Sequence, residues 1–574
     1  MLKLMKRLKE YWLGITAVLV LTFAQVMGQL YLPTLMSNII DKGIVQGDNH
    51  YIWTTGFKML GISLLSGIIS IIVVFLASRV SMGFGRNIRD TIFKKVESFS
   101  LQEFDKVGTA SLITRTTNDV VQIQNVVYMM LRMMVMAPIM LIGGIIMAVS
   151  HNAKLSLIFV VVLPVLLLLV VLLGSKAMPK FKSLQKKMDK LNRVIREGLT
   201  GIRVIRAFNH NKDELTKFEG ANRDYAKTAI SVNRLLSLMS PLMMLIMNLT
   251  SIAIIWIGSM LIKDGNMQVG DLMAFIQYAM QIMMAFMMLS AVFIFIPRAG
   301  ASAERINEVL DIEAEILDPE QPQTAGQGAM ISFDNVSFRY EGAEKPVIQH
   351  ISFSAKAGET VAIIGSTGSG KSTLLNMIPR FYDAETGSVQ INGIDVKDME
   401  QEELRSLIGL VPQKANLFTG TITSNMKYGK EDATDTEIWE ALELAQAQGF
   451  VSKLPEKLAH HVTQGGNNFS GGQKQRLAIA RALIRKPAIY LFDDSFSALD
   501  FKTDAKLRKG LKETITDAVT IIVAQRITSV IDSDQIIVLN EGEIAGIGTH
   551  DELKANNQIY QEIMKSQLSE EEIA

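Results

Sequence analysis

The chain has 574 residues, too many for one hydrophobic core, so two or more domains are expected. Its 58 basic and 57 acidic residues leave a formal charge of +1, which argues against nucleic acid as a partner, and the absence of cysteine excludes disulfides, thiolate chemistry and cysteine-based metal sites. Apolar residues still make up 48% and mean hydropathy is +0.24, with the excess crowded between residues 12 and 297.

The first ten residues are basic (Lys3, Lys6, Arg7, Lys9), but the apolar run behind them is long and lacks a small-residue cleavage site. A cleaved signal peptide is therefore not expected. Six stretches, 12–32, 57–77, 126–149, 155–178, 235–262 and 272–296, are long and apolar enough to cross about 30 Å of hydrocarbon. Pro164 and Pro241 fall inside two of them, which membrane helices tolerate because neighbours satisfy the freed backbone groups. Short connections follow the first, third and fifth stretches (41–55, 150–154, 263–270), and long basic ones follow the second and fourth (79–125, 180–234). The positive-inside rule then places both long connections and both termini in the cytoplasm, predicting a multi-pass protein of the plasma (inner) membrane.

The long connections keep helical periodicity and contain few breakers. Each is expected to carry its two helices roughly 30 Å out of the membrane, with tips near 100–107 and 208–214 to meet a cytoplasmic partner. Eighteen of the 32 methionines lie in the third, fifth and sixth stretches, and that density supports two readings. Flexible thioethers such as those of Met284 and Met288 suit an adaptable cavity for apolar molecules, and they equally suit helix packing and lipid contact. Gln277, Tyr278 and Gln281 on the sixth stretch and Asn248 on the fifth are expected to face the bundle interior or a wet cavity. Arg132, near the cytoplasmic start of the third stretch, is read as reaching for the interface in preference to binding substrate. Residues 311–328 are polar, acidic and contain Pro and Gly, the composition of a linker between a membrane domain (1–310) and a soluble one (329–574).

Past the linker, residues 331–338 alternate like a strand and lead to Tyr340, an aromatic able to stack on a nucleobase. The run Gly365, Ser366, Thr367, Gly368, Ser369, Gly370, Lys371, Ser372 fits G-x-x-x-x-G-K-[ST], the phosphate-binding P-loop, followed by Thr373. Its glycines let successive amides point at phosphates, Lys371 supplies a point charge, and Ser372 offers a hydroxyl to Mg²⁺. The apolar residues 361–364 before it and a helix-compatible segment after it provide the strand–loop–helix setting this motif requires. Downstream come Val411-Pro412-Gln413, then Phe469-Ser470-Gly471-Gly472-Gln473, and then four apolar residues ending in Asp493 and Asp494. Asp493, at the end of a buried strand, is placed to reach the nucleotide's Mg²⁺. Residues Ser497 to Asp500 follow directly.

These motifs, in this order behind six spans, resemble the half-transporters of the ABC exporter family over essentially the whole chain. The Ser-Gly-Gly-Gln run is specific to ABC ATPases. Phe104-Asp105, Arg115 with Asn118-Asp119, Gly201 with Arg206-Ala207-Phe208, and Ala303 to Ile306 resemble the family's membrane half. The resemblance implies a six-helix, all-α exporter domain fused to an α/β P-loop ATPase, working as a pair with two ATP molecules between the ATPase domains. Tyr340 would then stack on adenine, and the P-loop residues through Thr373 would hold ATP. Ser372, Gln413 and Asp493 would serve Mg²⁺. Ser470, Gly471, Gly472 and Gln473 would act at the site that the partner's P-loop holds, and Asp500 would be a further catalytic residue.

Two departures matter. The family's catalytic Glu is replaced by Asp494, and its switch His by Gln525; a Glu often found before the signature aligns with Gln464. A carboxylate one methylene shorter sits roughly 1.5 Å further from an attacking water. A glutamine hydrogen-bonds but carries neither the charge nor the proton of an imidazole. An ATP site that holds nucleotide and hydrolyses it poorly, beside a nearly intact signature, resembles the degenerate-site subunit of heterodimeric multidrug exporters of the LmrC/LmrD kind. The partner implied is a second half-transporter with catalytic Glu and His intact. The cargo implied is amphipathic drugs or lipids, and membrane lipids surround the spans. A homodimeric lipid or peptide exporter and an ATP-gated channel or regulator are the rival readings.

Overall fold

The computed structural model describes residues 1–326 and 328–567, without the side chains of Leu2 and residues 290–298. The side chains at the end of the sixth stretch, Gln327 of the linker and the last seven residues of the C-terminal domain thus lie outside the described residues. The chain divides into two compact units: Met1–Lys95 with Ala110–Asp311, and Val96–Thr109 with the residues from Ile312 onward.

The first unit is helical, and among the described residues six helices are long and apolar enough to cross a membrane. The second, fourth and fifth run unbroken over Asn49–Glu97, Ala153–Thr200 and Asn211–Lys263. The 53 residues of the longest span about 80 Å, far beyond any bilayer. The long connections are therefore helical extensions, as their periodicity predicts. Between the first two spans only residues 45–48 are non-helical, so that connection is shorter than the stretch 41–55 suggests. The reason is that Ile39–Ile44 continues the first helix as a π turn.

Helix packing uses small residues where backbones approach. A Cβ on Gly143 would lie 2.5 Å from Leu30 Cδ1, and one on Gly144 2.8 Å from Ile282 Cγ1, so this glycine pair lets the third span close on the first and sixth. Around it Val26, Leu30, Met140, Phe159, Met243, Phe275, Tyr278 and Ile282 form one buried core. The outward faces carry aliphatics such as Leu157, Val160, Val161 and Leu168, an arrangement suited to lipid. The polar residues of spans five and six divide. Tyr278 is fully buried and its hydroxyl donates to Leu30 O (3.0 Å), and Gln281 Nε2 reaches Gln29 O (3.4 Å), whereas Gln277 and Asn248 are exposed on this chain. The methionines divide too: Met140, Met243 and Met283 are core, while Met244, Met280 and Met284 face outward.

Two sequence segments far apart in the chain meet at the base of the bundle. Asp119, on the π turn Arg115–Asp119, is 3% exposed and accepts from Arg305 Nε (2.8 Å) and Ser302 Oγ (2.9 Å). Arg115 Nη1 in turn donates to Arg305 O (2.7 Å) and Nη2 pairs with Glu308 (3.0 Å).

The second unit contains a six-stranded sheet and a four-stranded antiparallel one. In the larger sheet we number β1 Thr360–Gly365, β2 Ile408–Val411, β3 Ile489–Asp493, β4 Val519–Val523, β5 Gln535–Asn540 and β6 Glu543–Gly548. The spatial order is β6-β5-β1-β4-β3-β2, parallel except for the edge hairpin β5–β6. Strand alternation feeds two cores: Val361, Ile363 and Leu491 face one, Ala362, Ile364 and Phe492 the other. Parallel strands buried on both faces read as continuous apolar runs, which is why these were visible in the sequence.

This unit also includes the tip of the first long connection, helix Leu101–Val107. Ser100 caps it in a reciprocal box with Glu103, and Glu103 Oε1 also accepts from the Glu315 amide (2.9 Å). Burial pushes the Glu103 carboxyl up, but the donors from Ser100 and Glu315 outweigh it and hold the group below the ordinary glutamate range. Lys106 pairs with Glu341 (2.8 Å), and the Tyr382 hydroxyl donates to Asp105 (3.4 Å).

Arg305→Ala strands the buried Asp119 carboxylate and should destabilise the membrane unit by about 3 kcal/mol. Asp119→Asn combined with Arg305→Ala should recover most of that loss. Thermal unfolding of the detergent-solubilised protein, followed by tryptophan emission, measures both.

Candidate nucleotide site

Because β1, β4, β3 and β2 run parallel as neighbours, the segments that follow them leave from one edge of the sheet. That edge is where open α/β sheets bind ligands. Gly365 ends β1, Gln525 follows β4, Asp493 ends β3 with Asp494 next, and Gln413 follows β2. Sequence motifs spread over 160 residues thus meet through strand order alone.

The P-loop turns on Gly368 (φ +87°) and Gly370 (φ +94°), and a Cβ on Gly370 would lie 2.6 Å from Ile348 Cγ2. Ser366, Thr367 and Gly368 are exposed along the loop, and Ser369 is buried beneath it. The Lys371 ammonium is folded into its own loop, donating to Gly365 O (2.8 Å) and Ser366 O (2.7 Å). Burial lowers the Lys371 pKa, opposed by the charges of Asp494 and Asp493. Helix α1, Lys371–Met377, starts here, so its first amides have no acceptor within the helix.

Ser372 Oγ donates to Asp493 Oδ1 at 2.9 Å. Burial raises the Asp493 pKa and Asp494 adds to that, while Ser372 and Lys371 oppose it. Thr373 Oγ1 lies 3.0 Å from the Tyr340 hydroxyl, which ties Tyr340 to the P-loop helix, and the Tyr340 ring meets Phe338 and Tyr382 edge-on. Asp494 has φ +46°, a left-handed conformation that Asp adopts more readily than most residues. Its Oδ2 accepts from Gln413 Nε2 at 3.3 Å.

Other predicted residues stand apart from this cluster. Ser470 caps helix α2, Gly471–Leu483, in a reciprocal box with Gln473: Ser470 N donates to Gln473 Oε1 (2.9 Å) and Gln473 N to Ser470 Oγ (3.3 Å). A Cβ on Gly471 would meet open space, so the helix N-terminus is accessible, whereas one on Gly472 would lie 3.1 Å from Ala498 O. No hydrogen bond among the described residues joins this signature to the chain's own P-loop. Asp500 caps helix α3, Phe501–Thr514, accepting from Thr503 N (3.0 Å), and the bond from Thr503 holds its pKa low. Gln525 is exposed, and its side chain makes no hydrogen bond among the described residues.

One residue at this site carried no signal in the sequence. Gln567, at the end of the C-terminal helix Gln558–Gln567, brackets the segment after β4. Its Nε2 donates to Gln525 O (2.7 Å), and its Oε1 accepts from Ile527 N (2.9 Å).

Residues 15–286 match the ABC transporter transmembrane region and residues 348–497 the ABC transporter family. An uncharacterized ABC transporter ATP-binding protein of Mycobacterium tuberculosis is 43% identical over 98% of this chain and 97% of its own length. The chain belongs to the ABC transporter family. A putative export ATP-binding/permease protein of Rickettsia felis is 32% identical over 99% of both chains. The solved structure of a bacterial Atm1-family ABC exporter with ATP bound matches with a TM-score of 0.79 and 25% identity, over 98% of this chain and 99% of that one. This ABC exporter half-transporter therefore couples a multi-pass membrane domain to a transport ATPase that binds ATP, and such exporters act as dimers.

The donor set beside the P-loop fits a magnesium ion carried in on nucleotide phosphates. Ser372 and Asp493 offer hard oxygens 2.9 Å apart, and Gln413 has a carbonyl oxygen that takes no protein donor among the described residues. Mg²⁺ is commonly held by one or two carboxylates together with phosphates and water. In the half-transporter, Gln567→Ala should release the Ile527 amide, raising its hydrogen exchange roughly fivefold for the loss of about 1 kcal/mol. Exchange mass spectrometry of the 525–528 segment reads this directly.

Proposed function

We propose that this half-transporter is the degenerate-site subunit of a heterodimeric exporter of amphipathic drugs or lipids, set in the plasma membrane with both termini cytoplasmic. The observation that carries the reading is the pairing of Asp494 with Gln525 around an otherwise complete phosphate loop. Asp494 is short, and its Oδ2 is engaged by Gln413, which leaves it poorly disposed to take a proton from an attacking water. General-base assistance is worth about 10²–10⁴ in rate, or roughly 3–5 kcal/mol of barrier. Gln525 cannot replace a switch imidazole, since it neither gains nor loses a proton near neutral pH.

In this reading the P-loop residues hold ATP, with Tyr340 against the adenine. Ser372 and Asp493, with Gln413 alongside, would hold a magnesium ion whose charge would offset that of the phosphates. Lys371 is ready to exchange its loop carbonyls for phosphate oxygens. The amides at Gly471 and Gly472, with Ser470, form a helix N-terminus that stabilises charge on the partner's γ-phosphate. ATP held at this chain's loop keeps the pair closed, and hydrolysis at the partner's loop resets it.

Purified without a partner, the chain should bind ATP and turn it over well below about 1 s⁻¹. A verified homodimer exceeding that rate would establish the homodimeric reading instead. In the assembled complex Asp494→Asn should preserve most ATPase activity, whereas Asp493→Asn should remove nucleotide occupancy. Equal inactivation by both would show Asp494 to be a working base.

Ser470→Arg places bulk and charge where the partner's γ-phosphate docks and should abolish steady-state turnover. ATP trapped at this chain's own site should remain. Retention of more than about a tenth of wild-type turnover, a loss under 1.4 kcal/mol, would assign the working site elsewhere.

A further inference from the structure

Within the membrane unit, a cavity of about 390 Å³ opens between spans one, two, three and six, within the size range of small-molecule sites. Its wall includes Arg132, whose side chain is exposed on this chain and has polar as well as apolar neighbours around the cavity. Arg132 lies on the π turn Met130–Met134, an irregularity that recurs at functional sites in helices. Of its guanidinium donors one is used, Nη1 to the Tyr128 hydroxyl at 3.1 Å. No carboxylate pairs with it among the described residues.

Thr22 and Gln25, which also line the cavity, share one face of the first span at i and i+3 spacing. Thr22 is 1% exposed and its Oγ1 has no hydrogen-bond partner; Gln25 is 6% exposed and makes no hydrogen bond among the described residues. A buried polar atom left as Thr22 Oγ1 is costs about 1–3 kcal/mol and ordinarily has a partner. Thioethers of Met136 and Met288 complete an apolar side. One unpaired cation, spare hydroxyl and amide groups and adaptable sulfurs thus share a single cavity.

Depth points the same way. Arg132 precedes the end of its span at His151 by 19 residues, about 28 Å of helix. In a bilayer core of about 30 Å that places the guanidinium near the level of one leaflet's headgroups, with the methionines reaching into the acyl region. With the orientation proposed above, that leaflet is the cytoplasmic one.

We propose that this cavity binds an anionic amphipath, its carboxylate or phosphate on Arg132 with Thr22 and Gln25 alongside, and its apolar body against Met136 and Met288. The assignment rests on the export reading and narrows its cargo from amphipaths in general to those carrying negative charge at one end. The ligand chemistry has two sources, an acidic membrane lipid or a soluble anionic amphipath.

The test is equilibrium binding to the assembled complex in phosphatidylcholine nanodiscs, which needs no turnover. A failure here therefore leaves the export reading standing, and a fast ATPase leaves this one standing. Dodecyl phosphate is the probe, with dodecyltrimethylammonium and dodecyl maltoside as cationic and neutral controls. Dodecyl phosphate should bind at least tenfold more tightly than either control. Arg132→Gln should abolish that preference, Arg132→Lys should keep it within about threefold, and Thr22→Val should weaken dodecyl phosphate alone. Equal affinity for the three probes, or an unchanged preference in a monodisperse Arg132→Gln complex, overturns the proposal. If Arg132→Gln does not assemble, Met136→Trp serves by filling the cavity. It should lower dodecyl phosphate binding at least tenfold, and full retention overturns the proposal. Repeating the titration with phosphatidylglycerol in the discs separates the sources. Competition identifies an acidic lipid as the occupant, and its absence a soluble amphipath.

Discussion

The parallel order β1-β4-β3-β2 is the constraint on which the candidate nucleotide site depends. Each strand is buried on both faces, so its register is fixed by two cores at once, and a one-residue slip would exchange every inward side chain for its neighbour. The loops inherit that precision. Asp493 reaches Ser372 at 2.9 Å and Gln413 reaches Asp494 at 3.3 Å because their strands end level, with β4 between β1 and β3. A single hydrogen bond in such a cluster contributes about 1 kcal/mol; the strand packing that aligns the partners contributes far more.

The phosphate loop, its flanking strand and the acidic strand end were legible in the sequence because each is local. Glycine spacing, apolar runs and a strand followed by a helix are all written within about ten residues. The six spans were legible for a similar reason, since length and hydropathy need no partner. Capping is also legible in the sequence. Ser470 with Gln473 is an S-x-x-Q box, and Asp500 precedes a helical pattern. Part of what reads as chemistry at these positions is the ordinary work of starting a helix.

What the sequence concealed depends on distant segments. Gln567 is a plain polar residue until its helix returns beside β4. Arg132 reads as an interface anchor from its own helix, and only the faces of spans one, two and six show it lining a cavity. The π turns at Arg115–Asp119 and Met130–Met134 leave no composition signature, yet each carries a charged group with a specific environment. Methionine density was similarly ambiguous. The same residue type supplies core at Met243, the outward face at Met284 and cavity wall at Met136.

The unbroken helices of the membrane unit have a mechanical consequence. The fifth span's helix, Asn211–Lys263, has a proline at 241 and no interruption of its helical assignment over 53 residues. Such a rod, about 80 Å long, behaves as a lever: tilted by 5° about one end, it displaces the other by about 7 Å. That is a larger excursion than one helical turn of about 5.4 Å, obtained without breaking a backbone hydrogen bond. Rigidity in these helices thus becomes amplification, and small rearrangements at one end are geared into translations the size of a ligand at the other.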